Sequence, residues 1–305
     1  MTMIESMYKY MKVGIIHFMA YPVLNGDGPV AETLQKIAED DYFNAVEISW
    51  IKDPAAKAEA KKILKTSHMV VGYGAQPRLL TTGFDINSLD EDMRQKALAT
   101  LKEGIDEAYE MGASGFAFLS GKYPGDDKKN TAMEALIAST VELCNYAKSK
   151  GNMRVELEVF DRDIEKKSLI GPAADARAFA EAVSKQCDNF GLLVDLSHIP
   201  QLNESPEQAL LPVKDYLTHA HLGNCVVKDK THPAYGDKHP RFGIEGGEND
   251  VDETVAFLKV LLDIGFLNAD NPPIVSFEVK PVGDENPELV IANAKRVLTE
   301  AWAKL

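Results

Sequence analysis

Short apolar runs of four to seven residues recur along the chain, and a longer helical pattern follows most of them. The strand-like runs are 12–17 (KVGIIH), 45–50 (AVEISW), 69–73 (MVVGY), 115–119 (GFAFL), 154–160 (RVELEVF), 191–196 (GLLVDL), 217–222 (LTHAHL) and 274–279 (IVSFEV). They are rich in β-branched and aromatic residues, as parallel strands covered on both faces require. Helical patterns occupy 29–40, 89–111, 130–150, 173–185, 251–264 and 287–304. Gly112, Gly151 and Gly265 follow three of them and predict left-handed C-terminal caps. Eight strands alternating with helices predict a parallel α/β array closed into a (β/α)8 TIM barrel. No polar linker or change of composition divides the chain, so the expectation is one domain over residues 1–305.

Two connections are longer than turns need to be. Residues 161–172 follow the fifth strand, and residues 223–250 follow the seventh. Loops beyond about 12–15 residues in a compact domain are usually functional. Both leave the strands at the C-terminal end, where barrels carry their active sites. The second holds Pro, Tyr, His and Arg, which predicts an ordered lid or substrate wall.

The 305 residues carry a formal charge of −14, with acids along the whole length. Phosphate backbones must be met by clustered Lys and Arg, so nucleic acid is a poor partner, as is an anionic membrane surface. No run approaches the roughly 20 apolar residues of a membrane span. The opening MTMIESMYKYMK lacks the apolar core of a signal peptide. Cys144, Cys187 and Cys225 form no CxxC pair, so packed thiols in a reducing cytoplasm are expected.

Carboxylates inside a barrel need a cause, because Val, Ile and Leu normally fill it. Strand alternation puts Glu156 and Glu158 on one face and Val155, Leu157 and Val159 on the other. With the apolar set against the helices, both acids point inward, Glu158 nearer the mouth. Asp195 ends the sixth run, His221 lies near the end of the seventh with His219 on the same face, and Glu278 near the end of the eighth. Four consecutive strands thus each offer a ligand at similar height. Three buried carboxylates without a cation would cost several kcal/mol each or rise in pKa. Three oxygen donors and one imidazole suit Mn²⁺ first, with Mg²⁺ or Co²⁺ as alternatives. Such an ion would polarise the carbonyl of a chelated keto sugar and acidify the adjacent C–H.

Other residues admit a functional and a plain reading. His198 in DLSHIP is a substrate contact or base, or a histidine bonded within a loop. His17, at the end of the first strand run, is a weaker catalytic candidate, and Lys280 either stabilises an oxyanion or pairs with an acid. Arg241, His232 and His239 could touch substrate, though loop histidines are usually solvated. Glu156 is a catalytic acid or a satisfied buried one, and Cys225 reads as packing. Phe18, Tyr21, Tyr73 and Tyr235 could form an apolar shelf at the mouth, with Tyr235 a substrate contact.

The order Glu, Asp-x-x-His, His, Glu on strands five to eight resembles the xylose-isomerase-like barrel superfamily of sugar isomerases and epimerases. The resemblance rests on ELEVFDR, VDLSH, HAHLGN, FGIEGGENDV and SFEVKP, and runs over essentially the whole chain. It implies that Glu158, Asp195, His221 and Glu278 hold the metal and that Glu158 and Glu278 exchange the proton. It also implies that His198 and an arginine after the seventh strand, Arg241 here, hold substrate. One departure is Ile164, which stands where those epimerases carry a substrate-binding glutamate. The segments GIIHFMAYP, GFAFLSGKY and HPAYGDKHPRFG are similar to the large catalytic subunits of bacterial C-glycoside deglycosidases. That resemblance implies a metal-dependent lyase cleaving 3-oxo-C-glycosides by deprotonation next to the keto group, with a small β-rich partner subunit or a homo-oligomer. A keto-sugar isomerase or epimerase using the same enolisation is the alternative. The DNA-repair endonuclease branch of this superfamily needs a zinc cluster and a basic surface, which seven scattered histidines and the negative charge do not provide. A binding module or inactive assembly subunit would be marked by a lost ligand, and none of the four is missing.

Overall fold

A computed structural model describes residues 5–22 and 26–305. Its strands are β1 (Lys12–Ile15), β2 (Ala45–Ile48), β3 (Val70–Gly74), β4 (Gly115–Leu119), β5 (Arg154–Val159), β6 (Phe190–Asp195), β7 (Leu217–Gly223) and β8 (Ile274–Glu278). All are parallel, in the order β1-β8-β7-β6-β5-β4-β3-β2. A bridge between Ile16 and Glu47 and the 2.8 Å bond from the Asn44 N–H to the Val13 carbonyl join β1 to β2. The eight strands thereby close into a (β/α)8 barrel, one domain over the described chain.

The packing follows the alternation. Val155, Leu157 and Val159 are buried against the helices, while Glu156 and Glu158 turn into the barrel. Pairing of β6 with β7 is irregular at Leu192 and Leu193, which brings His219 opposite Leu193 and His221 opposite Asp195. One side of the interior therefore carries acids and imidazoles where barrels usually stack aliphatic layers.

Three local features differ from the pattern expected along the chain. The first strand ends at Ile15, and His17 opens a one-turn helix, His17–Ala20. A helix the apolar pattern did not reveal, Pro54–Ser67, is capped by Asp53, whose carboxylate accepts the Ala56 N–H at 2.6 Å. Gly112 and Gly265 are left-handed at φ 77° and 74°, but Gly151 is extended at φ 166°. Gly151 is needed for space instead, since a Cβ there would lie 2.8 Å from the Tyr109 ring.

The long loop after β7 has no helix or strand between Gly223 and Val251, yet it is tied internally. Asn224 accepts the N–H groups of Cys225 and Asn249, each at 2.8 Å, and donates to the Arg241 carbonyl. Asn249 donates to the carbonyls of Gly223 and Leu196, locking the far end of the loop onto the strand ends. The loop after β5 is organised by Asp161, which accepts the N–H groups of Ile164, Glu165 and Lys166. No helix among the described residues is long and apolar enough to cross a membrane.

Candidate metal centre

At the C-terminal mouth, β5, β6, β7 and β8 bring Glu158, Asp195, His221 and Glu278 together. One donor atom from each lies within 4.8 Å of the others, and all four residues are buried. His221 Nδ1 is 2.9 Å from Glu278 Oε2 and 3.5 Å from Glu158 Oε1. Glu158 is aimed by Gln76, whose Nε2 donates to Oε2 at 2.6 Å. That leaves Glu158 Oε1 buried without a hydrogen-bond partner, and Asp195 Oδ2 is in the same condition. A buried carboxylate oxygen with no donor is costly unless a cation meets it. Three hard oxygen donors and one imidazole, two of the oxygens otherwise orphaned, fit a divalent cation of the Mn²⁺ or Mg²⁺ type.

The charges show the same tension. Burial, reinforced by the charges of Glu158 and Asp195, lifts the Glu278 carboxyl to about 7. Burial also pushes Asp195 upward, but the imidazoles of His198, His239 and His221 outweigh it and hold the group below its ordinary range. His221 loses by burial and gains more from Glu47, Glu158 and Glu278, so it binds its proton well above the usual imidazole range. Without a cation, the raised proton affinities of His221, His198, His239 and Glu278 are what offset the charge of the cluster.

A cavity of about 320 Å³ opens over His221 and Glu278 of this cluster, while Glu158 and Asp195 do not line it. Glu278, His221, His239, Lys166 and Lys280 line one side, and Phe18, Met19, Trp50 and Leu80 line another. Lys280 thus lies at the mouth, as its position on β8 predicts, and its backbone N–H bonds the His239 carbonyl at 2.7 Å. His17 also lines the cavity, with Nε2 2.8 Å from Thr33 Oγ1. Full burial lowers its pKa to about 3, so this ring is neutral.

Several candidates fall elsewhere. His198 is buried and does not line the cavity, and both its nitrogens are engaged: Nδ1 with the Val159 carbonyl at 2.7 Å and Nε2 with Asp237 Oδ1 at 2.9 Å. Arg241 does not line it either; its Nε donates to Glu285 at 2.9 Å on the outside of the loop. Tyr21 bonds Glu288, and Tyr73 is sealed against Glu107 and Arg78, so neither joins Phe18 on a shelf. Tyr235 and His232 are half-buried in the loop away from the cavity, where a bridge to Val226 holds Tyr235 and His232 accepts the Ala234 N–H. Trp50 takes the place of the missing aromatics. Glu156 is a satisfied acid, bonded by Thr218 at 2.9 Å and by His219 at 3.1 Å. Cys225 is buried, and burial raises its thiol well above the ordinary range, so it is packing.

Two residues of the site, Asp237 and Glu47, were not singled out from the sequence, whereas His239 was named as a loop residue that could touch substrate. It is not solvated but buried, with Nε2 2.9 Å from Asp237 and 3.4 Å from Glu278, and Nδ1 3.6 Å from Asp195. Its backbone is left-handed at φ 50°, a strain that a surrounding structure must hold in place. Asp237 joins His198, His239 and Lys166. Glu47 on β2 lies 2.9 Å from His219 and 3.1 Å from His221. Where Ile164 replaces an acid, the next residue, Glu165, lines the cavity and binds the Asp237 N–H and Lys238 of the long loop.

Fold and site together define a (β/α)8 barrel with a carboxylate–imidazole cluster at its C-terminal mouth. The chain belongs to the xylose isomerase-like TIM barrel family, whose profile matches residues 34–301. Among solved structures it is similar to a D-psicose 3-epimerase from Clostridium cellulolyticum H10, at 20% identity over 96% of both chains and a TM-score of 0.67. A D-tagatose 3-epimerase-like protein aligns at 17% identity over 96% of this chain and 99% of the other, TM-score 0.71. A 3-keto-D-glucoside 4-epimerase from E. coli aligns at 18% identity over 95% and 99%, TM-score 0.68. No curated protein sequence matches the chain.

Proposed function

We propose that the protein is a metal-dependent keto-sugar epimerase or isomerase, which removes and returns a proton on the carbon beside a carbonyl. The observation that carries this reading is the pair of orphaned carboxylate oxygens, on Glu158 and Asp195, within a four-residue donor cluster under a cavity. Glu158, Asp195, His221 and Glu278 would hold the ion, which when bound supplies a Lewis acid for the carbonyl oxygen. Glu158 and Glu278 are the two proton carriers: one takes the proton from the C–H and the other returns one to the opposite face. Gln76 fixes Glu158 for this task through its 2.6 Å bond. Lys166 and Lys280 offer donors to sugar oxygens, and Glu165 offers an acceptor. Solved structures of sugar epimerases with the same fold support this choice over others.

A second reading uses the same deprotonation to expel a carbon leaving group from a 3-oxo-C-glycoside, with a small β-rich partner subunit. Its support is the apolar wall of Phe18, Met19, Trp50 and Leu80 beside the acid cluster, which an aromatic aglycone would fill. One experiment separates the two. Purified protein loaded with Mn²⁺ is incubated in D2O with a free ketose, a 3-keto-glucoside and a 3-oxo-C-glycoside. Deuterium at the carbon next to the carbonyl, with inverted configuration, is the epimerase result. Free aglycone from the C-glycoside is the lyase result, and neither exchange nor aglycone release with any substrate would overturn both.

A further inference from the structure

Glu47 is a fully buried acid on β2, across the barrel from the strands that carry the four candidate ligands. Its Oε1 is shared by two imidazoles of β7: His219 Nε2 at 2.9 Å and His221 Nε2 at 3.1 Å. Its Oε2 is 3.3 Å from the same His221 nitrogen. On the opposite edge of the His221 ring, Nδ1 faces Glu278 and Glu158. The ring is therefore clamped between a carboxylate below and the donor cluster above. His219 is held in turn by Glu156 at 3.1 Å, so the clamp is anchored to β5 as well. Gly72 on the neighbouring strand makes the room: a Cβ there would lie 2.9 Å from Glu47 Cγ.

We infer that Glu47 is a positioning residue of the metal centre, a role that rests on the metal-dependent reading above. A neutral imidazole carries one proton on either nitrogen, and only the bare nitrogen can ligate a cation. By accepting the Nε2–H of His221, Glu47 would fix the tautomer in which Nδ1 turns its lone pair toward an ion shared with Glu158 and Glu278. A carboxylate behind a ligating histidine also raises the basicity of the ligand, and loss of such a partner typically costs about 10- to 100-fold in metal affinity.

The test is a titration of metal-free protein with Mn²⁺, followed calorimetrically and by the paramagnetic resonance of the bound ion. Wild type should bind one ion per chain. Glu47→Gln keeps the shape but loses the charge, and should weaken binding by about 10-fold or more. Gly72→Ala removes no charged group but pushes Glu47 aside, and should weaken binding in the same direction. Thermal melts of the metal-free proteins report the structural cost separately. Unchanged Mn²⁺ affinity in both variants, whatever their melting temperatures, overturns the role of Glu47. Two ions per chain in wild type, one of them lost in Glu47→Gln, would overturn it too, by making Glu47 a ligand. If wild type takes up no Mn²⁺, the metal-dependent reading itself fails, a result distinct from either.

Discussion

Asp237 and His198 form a buried pair across two loops, Oδ1 of the acid 2.9 Å from Nε2 of the ring. The acid comes from the long loop after β7 and the imidazole from the turn after β6. Burial lowers the proton affinity of His198, but Asp237, helped by the charges of Asp195 and Glu158, more than compensates and lifts its pKa to about 10. The pair thus ties the loop to the barrel with charge on both partners, and the His239 and Lys166 contacts of Asp237 make it the centre of the wall.

Replacing Asp237 with Ala should therefore leave buried cationic groups unpaired and cost roughly 3–5 kcal/mol of stability. Urea denaturation of the metal-free proteins measures it. Asp237→Asn, which keeps one acceptor, should lose less. Equal stability of Asp237→Ala and wild type would show that the loop is not fastened here.

Arg241 and His239 are two residues apart and make opposite predictions. The Arg241 guanidinium pairs with Glu285 outside the cavity and is over a third exposed, so Arg241→Ala should change stability by about 0–1 kcal/mol. Its kcat/KM should stay near wild type. His239 lines the cavity beside Glu278, and His239→Ala should lower kcat/KM by about 10- to 100-fold through loss of a charged hydrogen bond. A greater loss in Arg241→Ala than in His239→Ala would mean that substrate is held on the outer face of the loop.

The contrast also shows what could be read along the chain. The eight strands were legible because parallel strands buried on both sides are written in β-branched runs. Glu158, Asp195, His221 and Glu278 were legible because each interrupts an apolar run at its C-terminal end, the end at which barrels carry their sites. Glu47 carries the same signal in AVEISW, but its partners are 172 and 174 residues away and only barrel closure reveals them. Asp237 and His239 are buried by loop packing, which leaves no periodicity in the sequence. The helix Pro54–Ser67 buries only Ala60 and Leu64, so its apolar stripe is thin, although Asp53 followed by Pro54 is a start signal.

Metal loading should stabilise the protein through the same four donors. At 100 times its dissociation constant, an ion that binds only the folded chain adds about 2.7 kcal/mol. Mn²⁺ should accordingly raise the melting temperature of chelator-treated protein by several degrees, and Glu278→Gln should abolish most of that rise along with deuterium exchange. Retained exchange in Glu278→Gln would remove this residue from the proton-transfer pair.

His17 gives a prediction about acid stability that does not involve the donor cluster. Its ring is fully buried against Thr33, and burial lowers its pKa from 6.5 to about 3. Between those two values the unfolded chain binds a proton that the folded chain refuses. Stability must then fall as the pH drops through that window, by up to about 1.4 kcal/mol per pH unit. From about pH 7.5 to about pH 5, wild type should lose about 2 kcal/mol more than His17→Gln, which carries no titrating group at this position. Urea denaturation of the two metal-free proteins at both pH values isolates the difference, since their carboxylates are otherwise the same. Parallel losses would mean that His17 accepts its proton in the folded state, with the ring open to solvent at the cavity wall.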